Sequence, residues 1–246
     1  MALYFIGLGL SGEKDITVKG LEAVKKSYKV YLDAYTSQLA DATITDLEKF
    51  YGKKIIPAGR NLVENEPEQT ILKDAKSGDV AFLVVGDPMS ATTHVDLKLR
   101  ADKLNIPVNI ISNTSILTAV GVVGLDLYRY GRTTTIPFDN KNISSPYGVL
   151  QQNLKSNLHT LSLLDLDPPN NRFMAFNEGI QYLLDKGLPK KQLVIGCCRL
   201  GSEKPIITAG EAEKLVKTSF SRFPQCLIVP AKMHFMEEEA VKKWTK

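Results

Sequence analysis

Val80-Ala81-Phe82-Leu83-Val84-Val85-Gly86-Asp87-Pro88 is the stretch on which the fold turns. Its apolar run does not alternate with polar residues, so it predicts a strand buried on both faces, as parallel sheets require. Gly86 and Pro88 then end it abruptly in a turn. Similar short apolar runs recur on either side, at 3–8, 29–32, 54–57 and 108–112. Amphipathic stretches separate them. Thr17 reads as the N-cap of a helix carried by 20–26, 43–51 as a helix stopped by Gly52, 69–76 as one stopped by Gly78, and 91–104 as the helix after the second loop. Alternating strands and helices imply parallel pairing through right-handed crossovers.

The second half has a different character. A helix near 115–123 precedes strands at 133–137, 160–164, 193–198 and 226–229, with helices at 147–155, 177–186, 210–218 and 236–243. These predict a second α/β domain with mixed strand directions. The expected domains are 1–111 and 112–246, packed closely with a cleft between them, because no Pro/Ser-rich linker intervenes near Ser112.

The 246 residues suffice for two modest domains with full cores. A composition 43% hydrophobic and 24% charged excludes a disordered, collagen-like or coiled-coil chain. Cys197, Cys198 and Cys226 form neither a disulfide framework nor a Cys-x-x-Cys zinc motif, so no metal is expected and a reducing compartment fits. The net charge of +4 is spread along the chain, without the basic stripe that nucleic acid demands. There is no run of 18 apolar residues for a membrane span and no secretory pattern at Met1–Gly7, so a cytoplasmic protein is expected.

Gly7-Leu8-Gly9-Leu10-Ser11-Gly12, with Asp33 about 20 residues on, imitates the dinucleotide fingerprint of an NAD(P) or FAD enzyme. That loop requires a helix opening within the motif. Here Glu13-Lys14-Asp15-Ile16 intervenes, and its two acids repel a phosphate that Lys14 only partly offsets. The bland alternative is a turn needing backbone freedom; a third is close approach to an uncharged adenosine. In the second loop, Asp87 at a strand's carboxyl end suits a ribose hydroxyl or an ammonium, or merely closes an Asx turn with Pro88. Thr92 or Thr93 caps the next helix and His94 opens it. Asn113-Thr114-Ser115-Ile116 makes a third such loop, able to bond a base edge or to cap a helix.

Together, Leu3 to Leu10, Asp15-Ile16-Thr17-Val18-Lys19-Gly20-Leu21-Glu22, Ala34-Tyr35-Thr36-Ser37, Gly86-Asp87-Pro88 with Ala91-Thr92-Thr93-His94, Gly121 to Gly124, and Leu158-His159-Thr160-Leu161 with Leu164-Asp165 resemble the diphthine synthases. The resemblance runs nearly the whole length, thinnest over 139–156 and at the C-terminus. It implies a tetrapyrrole-methylase-like fold of two α/β domains, with S-adenosylmethionine bound in the cleft between them, and usually a homodimer. The family methylates the amino group of a modified histidine of translation elongation factor 2 in diphthamide biosynthesis. Gly9-Leu10-Ser11-Gly12 replaces the Gly-Pro-Gly-Asp common in the wider superfamily, which favours the diphthine branch. By resemblance, the cofactor contacts are Leu10, Asp87, Ser90, Ser115, Ile116, Leu164, Leu200 and Cys226. Cys226, expected just before the last strand, stands where histidine is common. The short segment 165–173 leans towards an archaeal-type, trimethylating enzyme.

Methyl transfer from a sulfonium needs alignment rather than a protein nucleophile. The amine acceptor must be neutral to attack. His94, Asp87 and Glu178 are chemically able to take its proton, though none is assigned that role. Tyr35, Tyr128 and Tyr130 are candidates for a pocket around a methylated cation, with core packing as the plainer reading. A nicotinamide-dependent oxidoreductase and a non-catalytic adenosine-ligand or RNA-binding module, the latter suggested by Lys242-Lys243-Trp244-Thr245-Lys246, are the competing readings.

Overall fold

The structure, a computed structural model, describes residues 1–90 and 94–245. Ala91, Thr92 and Thr93, read as a helix start and its cap, lie outside the described residues, as does Lys246 of the basic tail. The chain divides into two compact units, one of residues 1–116 with 167–171, the other of 117–166 with 172–246.

The first unit is built on β1 (Leu3–Gly7), β2 (Lys29–Asp33), β3 (Ile56–Ala58), β4 (Val80–Val84) and β5 (Val108–Ile111). They pair in the order β3-β2-β4-β1-β5, all parallel. β4, the quoted stretch, is central and buried at every residue. Its alternate residues feed two cores, Phe82 and Val84 with Leu3 and Phe5 on one face, Ala81 and Leu83 with Ile6 and Val30 on the other. Each large side chain buried there stabilises by about 1.5–3 kcal/mol. Helices α1 (Val18–Lys26), α2 (Ile44–Tyr51), α3 (Ile71–Ser77) and α4 (Val95–Lys103) make the crossovers. Thr17 caps α1 by accepting from the Gly20 N–H at 3.0 Å. α2 ends at Gly52 in the left-handed conformation, φ 69°. Gly78 does not end α3 that way, since its backbone is extended. It is small for another reason: a Cβ there would lie 3.0 Å from Tyr28 Cβ.

Strand order places a switch point between β1 and β4. The chain leaves β1 towards β2 and leaves β4 towards β5, on opposite sides. Ligands of open α/β sheets settle where such connections diverge.

In the second unit β6 (Thr134–Ile136), β7 (Thr160–Leu164), β10 (Leu193–Cys198), β11 (Ile206–Glu211) and β12 (Gln225–Val229) pair in the order β11-β10-β12-β7-β6. Only β6 and β7 are parallel, so the sheet is mixed as expected. α5 (Ile116–Ala119) leads into the unit, followed by α6 (Ser145–Lys155), α7 (Phe176–Asp185), α8 (Ala212–Leu215) and α9 (Phe235–Lys242). β8 (Leu166–Asp167) and β9 (Arg172–Phe173) flank the short segment 168–171. Two expectations are corrected. The helix read over 210–218 is strand β11 followed by the single turn α8, because Ile206, Ile207 and Thr208 are β-branched residues on an edge strand beside β10. Cys226 does not precede the last strand but lies within it, opposite Leu163 on one side and Cys197 on the other.

Glu237 organises this unit although it is a buried charge. Its Oε1 accepts from the Asp126 N–H at 3.0 Å and from His159 Nε2 at 2.9 Å. Its Oε2 accepts from the His234 N–H at 2.8 Å and from the Arg129 guanidinium. Burial acts to raise its carboxyl, but the N–H groups of His234 and Asp126 and the His159 ring outweigh it and hold the group below the usual range. His159 Nδ1 accepts from the Ala231 N–H at 3.0 Å, so the ring's proton sits on Nε2 and faces Glu237. Burial lowers the imidazole below its ordinary value despite the pull of Glu237. A second proton would break the Ala231 bond.

Two outcomes follow. Glu237→Ala lowers the unfolding free energy by about 3–5 kcal/mol in denaturant titrations, because the half-buried Arg129 loses its counter-charge and the His159, Asp126 and His234 donors lose their acceptor. Below pH 6.5 the unfolded His159 binds a proton that the folded one refuses. Stability is therefore full above that pH and falls as the pH drops towards the folded value. His159→Gln, which keeps a donor towards Glu237, flattens that part of the stability-against-pH curve.

Candidate functional site

The tips of β1 and β4 are joined by reciprocal backbone bonds. Gly9 donates to the Gly86 carbonyl at 3.2 Å and Gly86 donates to the Gly9 carbonyl at 2.7 Å. Both glycines have positive φ, 73° and 80°. A Cβ at Gly86 would project to within 3.7 Å of Ser115 Cα and 3.8 Å of Leu10 Cδ2. The space above Gly86 is thus walled by Leu10 and Ser115, with glycine backbone as its floor. Asp87, buried, ties this floor to the third loop: Oδ2 accepts from the Asn113 N–H at 3.0 Å. Its Oδ1 accepts from the Met89 N–H at 2.9 Å and the Ser90 hydroxyl at 3.3 Å, an Asx turn across Pro88. Oδ1 has both its lone pairs engaged, whereas Oδ2 accepts only one hydrogen bond among the described residues and keeps a site for another donor. Asn113 Nδ2 donates to the carbonyls of Gly7 and Asp15, both at 2.9 Å, and locks the third loop to the first.

Leu10, Asp87, Ser90, Ser115 and Ile116 are therefore brought to the carboxyl end of the first unit's sheet. Leu164, Leu200 and Cys226 are brought to one end of the second unit's sheet, where β7 and β10 finish and β12 begins. Leu164 and Cys226 are buried, and Leu164 packs on α7, where a Cβ at Gly179 would come 2.8 Å from its Cδ2. The Leu164 and Cys226 side chains are thus packed into the second unit's core. Cys226, opposite Cys197 across the sheet, and burial push the Cys197 thiol up, and burial pushes Cys198 up to about 11. These are inert packing thiols.

The dinucleotide reading fails on geometry. The Asp15 carboxylate accepts from the Ser11 N–H at 2.7 Å and the Gly12 N–H at 3.4 Å, taking the donors that a pyrophosphate would need. Asp33 is spent on its own loop, accepting from the Tyr35 N–H at 3.1 Å, the Thr36 N–H at 3.2 Å and the Thr36 hydroxyl. His94 Nε2 lies 3.1 Å from Asp33 Oδ2, a contact too oblique for a straight N–H···O bond. Among the other candidates, Glu178 caps α7 by accepting from the Ala175 N–H at 2.7 Å. Tyr35 and Tyr130 pack inward, whereas Tyr128 is 99% exposed and no core residue. Among the described residues no group of three His, Cys, Asp or Glu is placed to hold a metal, and no helix is long and apolar enough to cross a membrane.

Comparison with known proteins defines the class. The family model for Tetrapyrrole (Corrin/Porphyrin) Methylases matches residues 2–216, which makes the molecule a methyltransferase. A diphthine synthase of Methanocella arvoryzae is 43% identical over 249 residues, covering 98% of this chain and 96% of its own. The diphthine methyl ester synthase of Dictyostelium discoideum is also 43% identical, over 266 residues, covering 97% and 96%. A crystal structure of a diphthine synthase matches with a TM-score of 0.92 at 36% identity, covering 100% of this chain and 96% of the other. The chain belongs to the tetrapyrrole methylase family and, within it, to the diphthine synthases. Identity does not separate the archaeal from the eukaryotic relative, so it adds nothing to the archaeal leaning of the segment 165–173.

Gly7→Ala tests the loop assembly. The added Cβ would fall 2.6 Å from the Gly86 carbonyl oxygen and 2.7 Å from Asn113 Cβ, and the backbone contact cannot swing away. Thermal and denaturant unfolding will show a loss of about 1–3 kcal/mol.

Proposed function

We propose that this chain transfers methyl groups from S-adenosylmethionine to the amino group of the 3-amino-3-carboxypropyl-histidine of translation elongation factor 2, in diphthamide biosynthesis. The observation that carries this reading is the 43% identity to a diphthine synthase across 98% of the chain. The first unit's loops fit the cofactor. Leu10 offers an apolar wall to an adenosyl group, Asp87 an acceptor for a hydroxyl or ammonium, and the Gly9–Gly86 floor lets the ligand lie close to backbone. Ser90, Ser115 and Ile116 stand in the same loops, and the family resemblance adds Leu164, Leu200 and Cys226 to the cofactor contacts. When bound, the cofactor supplies a methyl group on a positively charged sulfur. The protein's part is to hold the donor, orient the acceptor nitrogen and exclude water. The occupied N–H groups of Ser11 and Gly12 suit a donor without phosphates.

The partners are elongation factor 2 as substrate and a second copy of the chain. In the second unit Val122, Leu127, Tyr128, Phe235 and Met236 are exposed, on the segment 122–128 and at the start of α9, with exposed acids (Asp126, Glu238, Glu239) and lysines (Lys232, Lys242, Lys243) near them in sequence. Exposed apolar side chains with charges of both signs nearby suit a two-fold interface, in which one surface meets its own copy.

Calorimetry will show one S-adenosylhomocysteine bound per chain and no binding of NAD, and labelled methyl will pass to premodified elongation factor 2. Binding of NAD alone, or no transfer by folded enzyme, would overturn the reading. Asp87→Ala is expected to weaken S-adenosylhomocysteine by roughly 10-fold or more, the value of a hydrogen bond to a charged group. Light scattering after gel filtration will show a dimer that Tyr128→Glu converts to monomer with unchanged circular dichroism.

A further inference from the structure

The amino end of the first unit's sheet, opposite the loops proposed for the cofactor, gathers lysines that are scattered along the sequence. Because the sheet is parallel, each crossover helix runs back to that end. α1 closes on Lys25 and Lys26, α3 closes with Lys76 in its last turn, and Lys53 follows the Gly52 cap of α2. The loops that carry them touch. Lys53 Nζ donates to the Ser27 carbonyl at 2.9 Å, and the Tyr28 N–H donates to the Asp79 carbonyl at 2.7 Å. The nearby acids are engaged elsewhere: Asp74 accepts from Lys29 Nζ at 2.8 Å and from the Tyr31 hydroxyl, Glu48 accepts from Lys54 Nζ at 2.9 Å, and Asp79 lies 3.3 Å from the Met1 amine. Glu22 on α1 offsets part of the charge. Among the described residues no carboxylate pairs with Lys25, Lys26, Lys53 or Lys76. Tyr28 joins the α1 and α3 lysines. Its side chain packs beside Gly78, where a Cβ would lie 3.2 Å from Tyr28 Cγ, yet the residue is 64% exposed. Lys29 Nζ stands 5.6 Å from the centre of its ring.

A helix C-terminus favours a cation, and that accounts for Lys25, Lys26 and Lys76 one helix at a time. It accounts neither for Lys53, past the cap, nor for an aromatic ring left in water beside them. We propose that this surface binds a single-stranded nucleic acid, the lysines tracking its phosphates and the Tyr28 ring stacking on an unpaired base. Lysine is a point charge on a flexible stem, suited to following a phosphate backbone without fixed register. A ring amid cations is the pairing that sequence-tolerant single-strand binders use, because every base has a π-face. An acidic protein surface would match the lysines but leave the ring without a role. The strand β4 rises about 3.3 Å per residue, so Val80–Val84 holds the two ends of the sheet about 15 Å apart. A nucleic acid bound at the amino end therefore leaves the loops at the carboxyl end untouched.

The test is fluorescence anisotropy of labelled oligouridylate and oligothymidylate, about twelve nucleotides each, titrated with the full chain over a range of salt. The expected result is binding whose log affinity falls with log salt at a slope of about −3, since a single strand contributes about 0.7 for each phosphate neutralised. Lys26→Gln and Lys53→Gln should each make that slope shallower by about 0.7 and weaken binding at low salt. Tyr28→Ala should weaken binding roughly 5-fold or more at an unchanged slope. Lys155→Gln, on α6 of the second unit, is the control and changes neither. The thermal midpoint stays at the wild-type value in every variant. Binding of either probe on these terms supports the inference, and the tighter one names the sugar. Failure of both probes to bind at low salt overturns it, as does binding that Lys26→Gln and Lys53→Gln leave unchanged. A polyglutamate peptide that binds as tightly, with Tyr28→Ala neutral for every probe, assigns the surface to an acidic protein and also overturns it.

Discussion

The two backbone hydrogen bonds between Gly9 and Gly86 are the constraint on which the first unit's site depends. They join the loops of β1 and β4 where the connections diverge, so neither loop can move without the other. Everything nearby is adjusted to that closeness. Gly7 has no Cβ because the Gly86 carbonyl stands in its place. Asn113 reaches back to Gly7 and Asp15, and Asp87 reaches across to the Asn113 N–H. Three loops distant in sequence thereby share one rigid floor.

The parallel sheet was legible because β4 and its neighbours are apolar without alternation, and because Thr17, Thr43 and Gly52 use the common capping chemistry. The mixed sheet was legible in class but not in detail. Strand β11 was hidden by Gly210, which in isolation reads as a helix start. Its β-branched residues acquire meaning only beside β10. The loops proposed to hold the cofactor were read by resemblance, and the structure brings Leu10, Asp87 and Ser115 together at the end of the first unit's sheet. For Leu164 and Cys226 the residue type alone did not show that both side chains are buried in the second unit's sheet. The exposure of Tyr128 was equally invisible, because tyrosine occurs as often in cores as on surfaces.

The second unit places its strongest polar interactions at a different point. Glu237, Arg129 and His159 bind the turn at 126–129, the start of β7 and the start of α9 into one piece. A buried charge of this kind contributes little net stability over an apolar core, but it admits one arrangement of its donors. It fixes the register of the segments that carry the exposed aromatic and methionine side chains. His159, one of the residues shared with the family pattern, therefore acts as scaffold rather than as a proton carrier.

The Asp15 carboxylate, seated on the Ser11 and Gly12 N–H groups, has a consequence for competition among metabolites. Adenine compounds in a cell mostly carry phosphates, and a glycine loop after a first strand is the usual place to receive them. Here a side chain of the protein itself already holds that position as a permanent resident anion. A triphosphate or dinucleotide must displace it and meet its charge, whereas a nucleoside bearing a cationic sulfur meets no such barrier. One acidic residue at the loop's edge thus sets a charge barrier to phosphate-bearing ligands, apart from any contact such a ligand makes through its base.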